Sequence, residues 1–378
     1  RKEELRDPES DSSIRLLEII DRYIDHFRTH REYTYQINTD CLKDELRPLD
    51  RVRQKKTRKF NVTDFVDNVL AKMALGHLYA HMARKFQSTV NMCGINPGSS
   101  VWGELYHRFL KTDDVLATDI SGMDEIMFNY HTMEMREEIK RHYKDPFESE
   151  FAQAVVTMCL LAIRFNQGVG TINGQGNSSG NQFTTWFNSM TIHICYQIVA
   201  HYIALTNNID VPAFTRSLRL CLYSDDSLSA SSRKEWCPVA VSKAFKNLLG
   251  VTITDANKDE ITEDSVTTRD KMVFLSRRFR KVHGVVHCPL EYDSLISQLY
   301  FVRVPKNTPN KEAFIISQLN INVDNVAREL IEYEPDVAQE IADSYNNFVL
   351  YHNLHKDGLN FMEYISSETF GRKVANYY

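Results

Sequence analysis

Two adjacent aspartates, Asp225 and Asp226, stand between two apolar runs, and few folds can place such a pair. Leu218 to Tyr223 reads as a short buried strand and Ser227 to Ser231 as its return partner, so Ser224-Asp225-Asp226 falls at a hairpin turn. Neighbouring carboxylates beside buried strands repel each other and lose hydration. A bound cation is the usual relief, and two divalent ions held by carboxylates are the standard apparatus of in-line phosphoryl transfer. An Asp-Asp turn by itself is common, because Asp tolerates turn geometry and bonds its own backbone. Its meaning depends on what else the chain carries.

The chain has 378 residues, 43% hydrophobic and 25% charged, enough for a large core or several packed subdomains. A formal charge of −5 excludes a global basic field, so any nucleic acid must be met by a local basic groove. The seven cysteines are scattered without a CxxC pair, which argues for free thiols in a reducing compartment. The most apolar stretch, Thr191 to Leu205, carries His193, Gln197 and His201 and suits a buried helix better than a membrane span. The charged first residues show no signal peptide, and the start at Arg1 suggests a fragment of a longer polypeptide.

Periodicity predicts helices over Ile14–Phe27, Val66–Gln87, Met123–Tyr143, Phe151–Phe165, Gln182–Leu205 and Pro238–Leu249. Val115–Ile120 reads as a strand, Lys43–Phe60 as a basic extended segment, and Met272–Phe279 with Val282–His287 as a hairpin pair. A glycine-rich stretch holds Gly168, Gly170, Gly174, Gly176 and Gly180, and the chain beyond Leu290 is mostly helical. The class expected is α+β, a small antiparallel sheet carrying helices.

Three further constellations carry chemistry. Asp119 ends a strand and Asp124 opens the next helix, so both carboxylates come to one sheet edge, where Asp119 can face Asp225. A plain reading makes Asp124 a helix N-terminal acid and Asp119 a turn residue. Gly176 to Asn188 is a Gly/Ser loop feeding a helix N-terminus that offers N–H groups to phosphate or ribose, with Thr184 and Asn188 on one helix face. Six of the nine residues from Arg51 to Lys59 are basic and could line a channel for a triphosphate, though such runs are more often solvated patches. Phe274-Leu-Ser-Arg277 and the upstream Lys258 read alone as a surface hairpin and a surface lysine. His77 and His81 lack the third ligand a metal site needs, while for His283, His287 and Cys288, near the expected hairpin, zinc is the less expected reading.

Taken in order, the KDELR…KKTR segment, the Asp119/Asp124 pair, SGxxxTxxxN, the Tyr-x-Asp-Asp turn, Lys258 and FLSR resemble a viral RNA-dependent RNA polymerase. The resemblance is to the picornavirus-like superfamily of positive-strand RNA viruses and covers roughly Lys43 to Phe279, with Asn96-Pro97 and Trp102 matching a further segment. It implies a right-hand polymerase: partial fingers, a palm with an antiparallel ferredoxin-like sheet, and a helical thumb. The divisions expected are fingers over 1–110, with the basic segment 43–60 along which the NTP enters, palm over 111–131, fingers/palm helices over 132–173, palm over 174–280 and thumb over 281–378. The first part of the fingers, where the template enters, would lie upstream of Arg1.

By the same resemblance, Asp119, Asp225 and Asp226 are the catalytic and metal-binding acids and Lys258 is the general acid for pyrophosphate. Arg58 meets the triphosphate, with Arg47, Arg51 and Lys56 as basic neighbours. Asp124 and Asn188 sense the ribose 2′-hydroxyl, helped by Ser179, Gly180 and Thr184, and Arg277 lies in the primer grip. The implied cofactor is Mg²⁺, with Mn²⁺ able to substitute. The implied partners are RNA template and primer strand, NTPs, a protein primer and other viral replication proteins, with no transmembrane segment. The implied setting is the host cell cytoplasm, at membrane-associated replication complexes, after release from a viral polyprotein. Ser224 departs from the glycine usual at its position. A reverse transcriptase also uses a Tyr-x-Asp-Asp turn, but would carry a bulky aromatic where Asp124 stands; a silent, RNA-binding palm is the third reading.

Overall fold

The structure is a computed structural model that describes residues 4–32, 37–43, 45, 49–97, 99, 101–109, 114–123, 126, 129–161, 163–166, 169–172, 176–256, 258–330 and 332–351. The first elements are α1 (Asp11–His30), β1 (Ile37–Leu42), α2 (Leu49–Arg53), β2 (Lys59–Thr63), α3 (Phe65–Arg84) and α4 (Val101–Arg108). Then come β3 (Leu116–Ile120), α5 (Asn129–Lys140), α6 (Pro146–Leu160), β4 (Ile163–Asn166), β5 (Val169–Ile172) and α7 (Thr184–Thr206). Next are α8 (Val211–Ser217), β6 (Leu218–Tyr223), β7 (Asp226–Ser231), α9 (Pro238–Leu249) and β8 (Ile253–Asp255). Two short hairpins, β9 (Val273–Phe274) with β10 (Arg277–Arg278) and β11 (Arg280–Val282) with β12 (Val285–His287), precede α10 (Tyr292–Tyr300), α11 (Lys311–Leu330) and α12 (Pro335–Tyr351).

The central sheet has the order β6-β7-β3-β8, antiparallel at every pairing. With α7 between its first and second strands in sequence and α9 between its third and fourth, this is the ferredoxin-like order. Side chains alternate across it. Leu116 and Ile120 of β3 and Leu220 and Leu222 of β6 face α7 and α9, where they join Tyr196, Val199, Val241 and Phe245 in one buried core. Each such fully buried large apolar side chain contributes about 1.5–3 kcal/mol. Cys221 of β6 and Leu228 and Ala230 of β7 face the other way, into a core built on Trp102, Tyr106 and Phe274. Asp119 and Asp226 share this second face and line a cleft there.

Helix α9 spans the residues expected: Pro238 occupies its first turn and Gly250 caps it in the left-handed region at φ 65°. The acidic turn is tighter than expected. Asp226 already belongs to β7, paired with Tyr223 on one side and Asp119 on the other, because a two-residue connection matches strand twist better than a longer one.

Four local expectations change. Helix α6 starts earlier, at Pro146, and closes at Leu160, and the glycine-containing stretch that follows forms the β4–β5 hairpin of a second sheet, β2-β1-β4-β5. Its alternation was hidden by the helix-like apolar run before it. The helix expected from Met123 begins at Asn129. The basic segment is not extended throughout, since it folds into α2 before β2. Met272 to His287 is two hairpins rather than one pair. Helices α10, α11 and α12 form their own apolar core. Among the described residues, no helix is long and apolar enough to cross a membrane.

Candidate active site

Asp119 sits directly opposite Asp226 in the β3–β7 register. Beneath them the hydroxyls of Thr118, Ser227 and Tyr196 form a buried triangle, with Thr118 Oγ1 at 2.6 Å from Ser227 Oγ and 2.9 Å from Tyr196 Oη. These hydroxyls satisfy one another and fasten β3, β7 and α7 together, so the carboxylates above them stand on a braced floor. Ser224 and Asp225 form the turn, and of the two only Ser224 takes a positive φ, 57°, as in a type II′ hairpin. The Ser224 N–H donates to Ser189 Oγ at 2.9 Å, and Asn188 Nδ2 donates to Ser224 Oγ at 3.1 Å. The turn is thus tied to α7 by two side chains.

The acids line a cleft of about 320 Å³ together with Arg58, Lys258, Ser276 and Glu291. Lys258 stands at φ 69° with its N–H donating to Asp255 O, and that turn brings Nζ to 3.7 Å from Asp119 Oδ2. Burial lifts the Asp119 carboxyl above its ordinary range; the Lys258 ammonium opposes that lift and Asp225 adds to it. Burial, then the charges of Asp225 and Asp119, push Asp226 up to about 6. Arg58 is exposed and its Nη1 lies 3.8 Å from Glu45 Oε2, beside Lys43. The Lys258 and Arg58 charges therefore flank a cleft in which the Asp119 and Asp226 carboxyls are both shifted upward.

The α7 end of the site is more deeply committed than its sequence indicates. Asn188 is 1% exposed; its Oδ1 accepts from Asn177 Nδ2 at 2.8 Å while its Nδ2 serves Ser224. Thr184 Oγ1 donates within the loop, to Ser178 O and Asn181 O. Ser179 Oγ accepts from the Asn61 N–H of β2 at 3.0 Å. A Cβ on Gly180 would stand 1.8 Å from Asn61 O, so only glycine permits this contact between loop and strand. Asn188 lies beside the turn rather than in the cleft wall.

Arg277 is 6% exposed and makes a bidentate pair with Glu329 of α11, at 2.5 and 2.8 Å, while its Nη1 also serves Cys288 O. Its guanidinium lies 5.6 Å from the Trp102 ring, and Trp102 donates to Asn96 O. The side chain therefore joins the β9–β10 hairpin to α11, and the turn residues Leu275 and Ser276 face the cleft instead. Arg51 and Lys56 are exposed on and after α2, away from the cleft lining. Arg47 and Asp124 lie outside the described residues. His77 packs edge-on against Tyr143, and His287 Nδ1 is 3.2 Å from Glu332 Oε2. Sequence reading missed Thr118, Ser227, Tyr196, Ser189 and Glu291, since isolated hydroxyls and one carboxylate give no signal without their neighbours in space.

Among the described residues no three His, Cys, Asp or Glu side chains are gathered closely enough to form a ready metal cage. The donor set nonetheless fits Mg²⁺. It is all oxygen, sits on a braced strand and a tight turn, and opens on a polar cleft, and Mg²⁺ prefers one or two carboxylates plus water and substrate phosphates to an all-protein cage.

An acidic turn facing an aspartate across a ferredoxin-like sheet is the palm of a right-hand polymerase. The chain belongs to the viral RNA-dependent RNA polymerase family, whose model matches residues 28–351. It is 24% identical over 329 residues to the RNA1 polyprotein of Tomato torrado virus, covering 82% of this chain and 15% of that polyprotein. It is 25% identical over 324 residues to the RNA1 polyprotein of Arabis mosaic virus, covering 83% of this chain and 13% of the other. A genome polyprotein of Human hepatitis A virus genotype IIB is 27% identical over 259 residues, 66% of this chain and 11% of that one. The chain thus spans a small part of these relatives' length. Among solved structures, a Sicinivirus 3Dpol RNA dependent RNA polymerase superposes with a TM-score of 0.73 at 19% identity, covering 89% of this chain and 66% of that one. These matches bear out the picornavirus-like family and the right-hand fold.

Proposed function

We propose that this chain carries out RNA-templated RNA synthesis from NTPs, copying the genome of a positive-strand RNA virus. The observation that carries the reading is the Asp119–Asp226 register pair, with Asp225 on the adjoining turn and Lys258 3.7 Å from Asp119. Asp119, Asp225 and Asp226 would hold Mg²⁺ or Mn²⁺, which when bound supplies the Lewis acidity that activates a primer 3′-hydroxyl and offsets charge on departing pyrophosphate. Arg58 and Lys258 draw the triphosphate to the cleft by charge. Lys258 Nζ, free to swing because its side chain is 74% exposed, gives its proton to the leaving pyrophosphate.

Ribose selection falls to Asp124 and to Asn188 of α7, helped by Ser179, Gly180 and Thr184; Asn188 reaches a ribose only by exchanging its present partners. Arg47, Arg51 and Lys56 extend the basic approach to Arg58. Arg277 supports the primer grip from behind, by holding the hairpin whose turn faces the cleft. The divisions proposed are fingers 1–110, palm 111–131 and 174–280, intervening helices 132–173 and thumb 281–378. RNA template, primer and NTPs are the partners, with a protein primer and other viral proteins in cytoplasmic, membrane-associated complexes. Template sequence is read by base pairing, so backbone contacts suffice.

Primer extension on an RNA template tests the reading. Asp119→Ala should give no product, and Asp124→Ala should lose ribonucleotide preference. An unchanged NTP/dNTP ratio for Asp124→Ala contradicts the ribose assignment.

A further inference from the structure

Ser224 occupies a backbone position that favours glycine, at φ 57° on the turn that carries Asp225. A serine there carries backbone strain that glycine would not, and its hydroxyl makes a contact that glycine could not. It accepts a hydrogen bond from Asn188 Nδ2 at 3.1 Å. The other end of the Asn188 amide is held by Asn177 Nδ2 at 2.8 Å, and Asn177 is fully buried. Among the described residues, Asn177 Oδ1 is itself buried without a partner. The chain of side chains Asn177–Asn188–Ser224 is therefore closed at the turn and incomplete at its far end, and a partly satisfied buried network is easier to rearrange than a complete one.

We propose that Ser224 is a positioning residue for ribose selection: its hydroxyl competes with the incoming ribose for the Asn188 amide and holds that amide on the metal-binding turn until a 2′-hydroxyl replaces it. The inference rests on the proposed role of Asn188. It makes ribose recognition an exchange of one hydrogen bond for another, so the net gain from a 2′-hydroxyl is smaller than it would be with Asn188 unengaged. A deoxyribonucleotide has no hydroxyl to take part in the exchange and does not feel Ser224 through this route. Because Ser224 adjoins Asp225, the exchange also reports to the turn that holds one of the catalytic acids.

The test is single-nucleotide primer extension with the chain in its flanking polymerase sequence, measuring KM for UTP and dTTP in the Ser224→Ala, Ser224→Gly and Asn188→Ala variants and in Ser224→Ala/Asn188→Ala. Removing the competing hydrogen bond should lower KM for UTP about three- to tenfold and leave KM for dTTP unchanged. Alanine and glycine should act alike, and the effect of Ser224→Ala should vanish when Asn188 is already alanine. An effect seen with glycine alone would assign it to backbone strain and overturn the proposal. So would an unchanged or raised KM for UTP, or an effect that persists without Asn188. Asn188→Ala separates the two levels. If it lowers discrimination while the Ser224 variants leave KM unchanged, this inference falls and the ribose reading stands; if it leaves discrimination intact, both fall.

Discussion

Asp119 and Asp226 face each other in register across β3 and β7, and the buried hydroxyls of Thr118 and Ser227 beneath them allow neither strand to slip. A one-residue slip of either strand would send its carboxylate to the opposite, helix-covered face. The pair is therefore fixed by the same alternation that builds the core, and its mutual repulsion is a standing cost of the fold.

Burial of Asp226, with the charges of Asp225 and Asp119 added, sets a pH dependence. Asp226 is pushed up to about 6 in the folded chain, while an unfolded Asp loses its proton near pH ~4. The folded state binds more protons between those values, so this contribution to stability is full below about pH 4 and is lost as pH rises through about 6. Asp119 shifts in the same direction. In chelator near pH ~7.5, Asp226→Asn should raise the midpoint of thermal unfolding by about 2–4 °C and flatten its pH dependence. A midpoint at or below wild type would show that the carboxylates are not repelling each other.

Gly180→Ala should destabilise the protein by about 1–3 kcal/mol, because the new methyl meets Asn61 O. Urea unfolding checks this, and an unchanged midpoint with unchanged slope would mean that loop and β2 are not in contact.

Arg277→Ala should be severe. It leaves the partly buried Glu329 without its bidentate partner, at a cost of about 2–3 kcal/mol. Double substitution with Glu329→Leu should recover part of that loss, and failure to recover any of it in thermal melts would place the role of Arg277 elsewhere.

Lys258→Leu should lower kcat for nucleotide addition about 100-fold or more while leaving primer–template affinity nearly unchanged, as removal of a general acid does. Equal losses in kcat and affinity, read by single-turnover kinetics and RNA binding, would make Lys258 a phosphate contact only.

Much of the sheet was legible in the sequence, and for a physical reason. Strand β6 and the return strand carry an apolar, small-residue pattern next to a charge pair that has to sit at a turn, and α9 carries its own Pro start and Gly stop. The β4–β5 hairpin was not legible, because Ile163 and Phe165 continue the apolar run of α6 and only their pairing with β1 and β5 makes them strand. The acids of the site stood out as charges among apolar residues. Their supports did not: the Thr118–Tyr196–Ser227 triangle joins residues up to 109 positions apart, and each is an ordinary hydroxyl in sequence. Arg277 is the opposite case: its place in the primer-grip segment came from the resemblance, and its contacts with Glu329 and Trp102 are encoded by no local pattern.

The central claim is most directly tested by primer extension on an RNA template with Mg²⁺, comparing labelled UTP with dTTP in the wild-type chain and in Asp225→Ala. The account predicts metal-dependent incorporation of UTP over dTTP that disappears in Asp225→Ala. Preference for dTTP, or UTP incorporation that survives in Asp225→Ala, would contradict it.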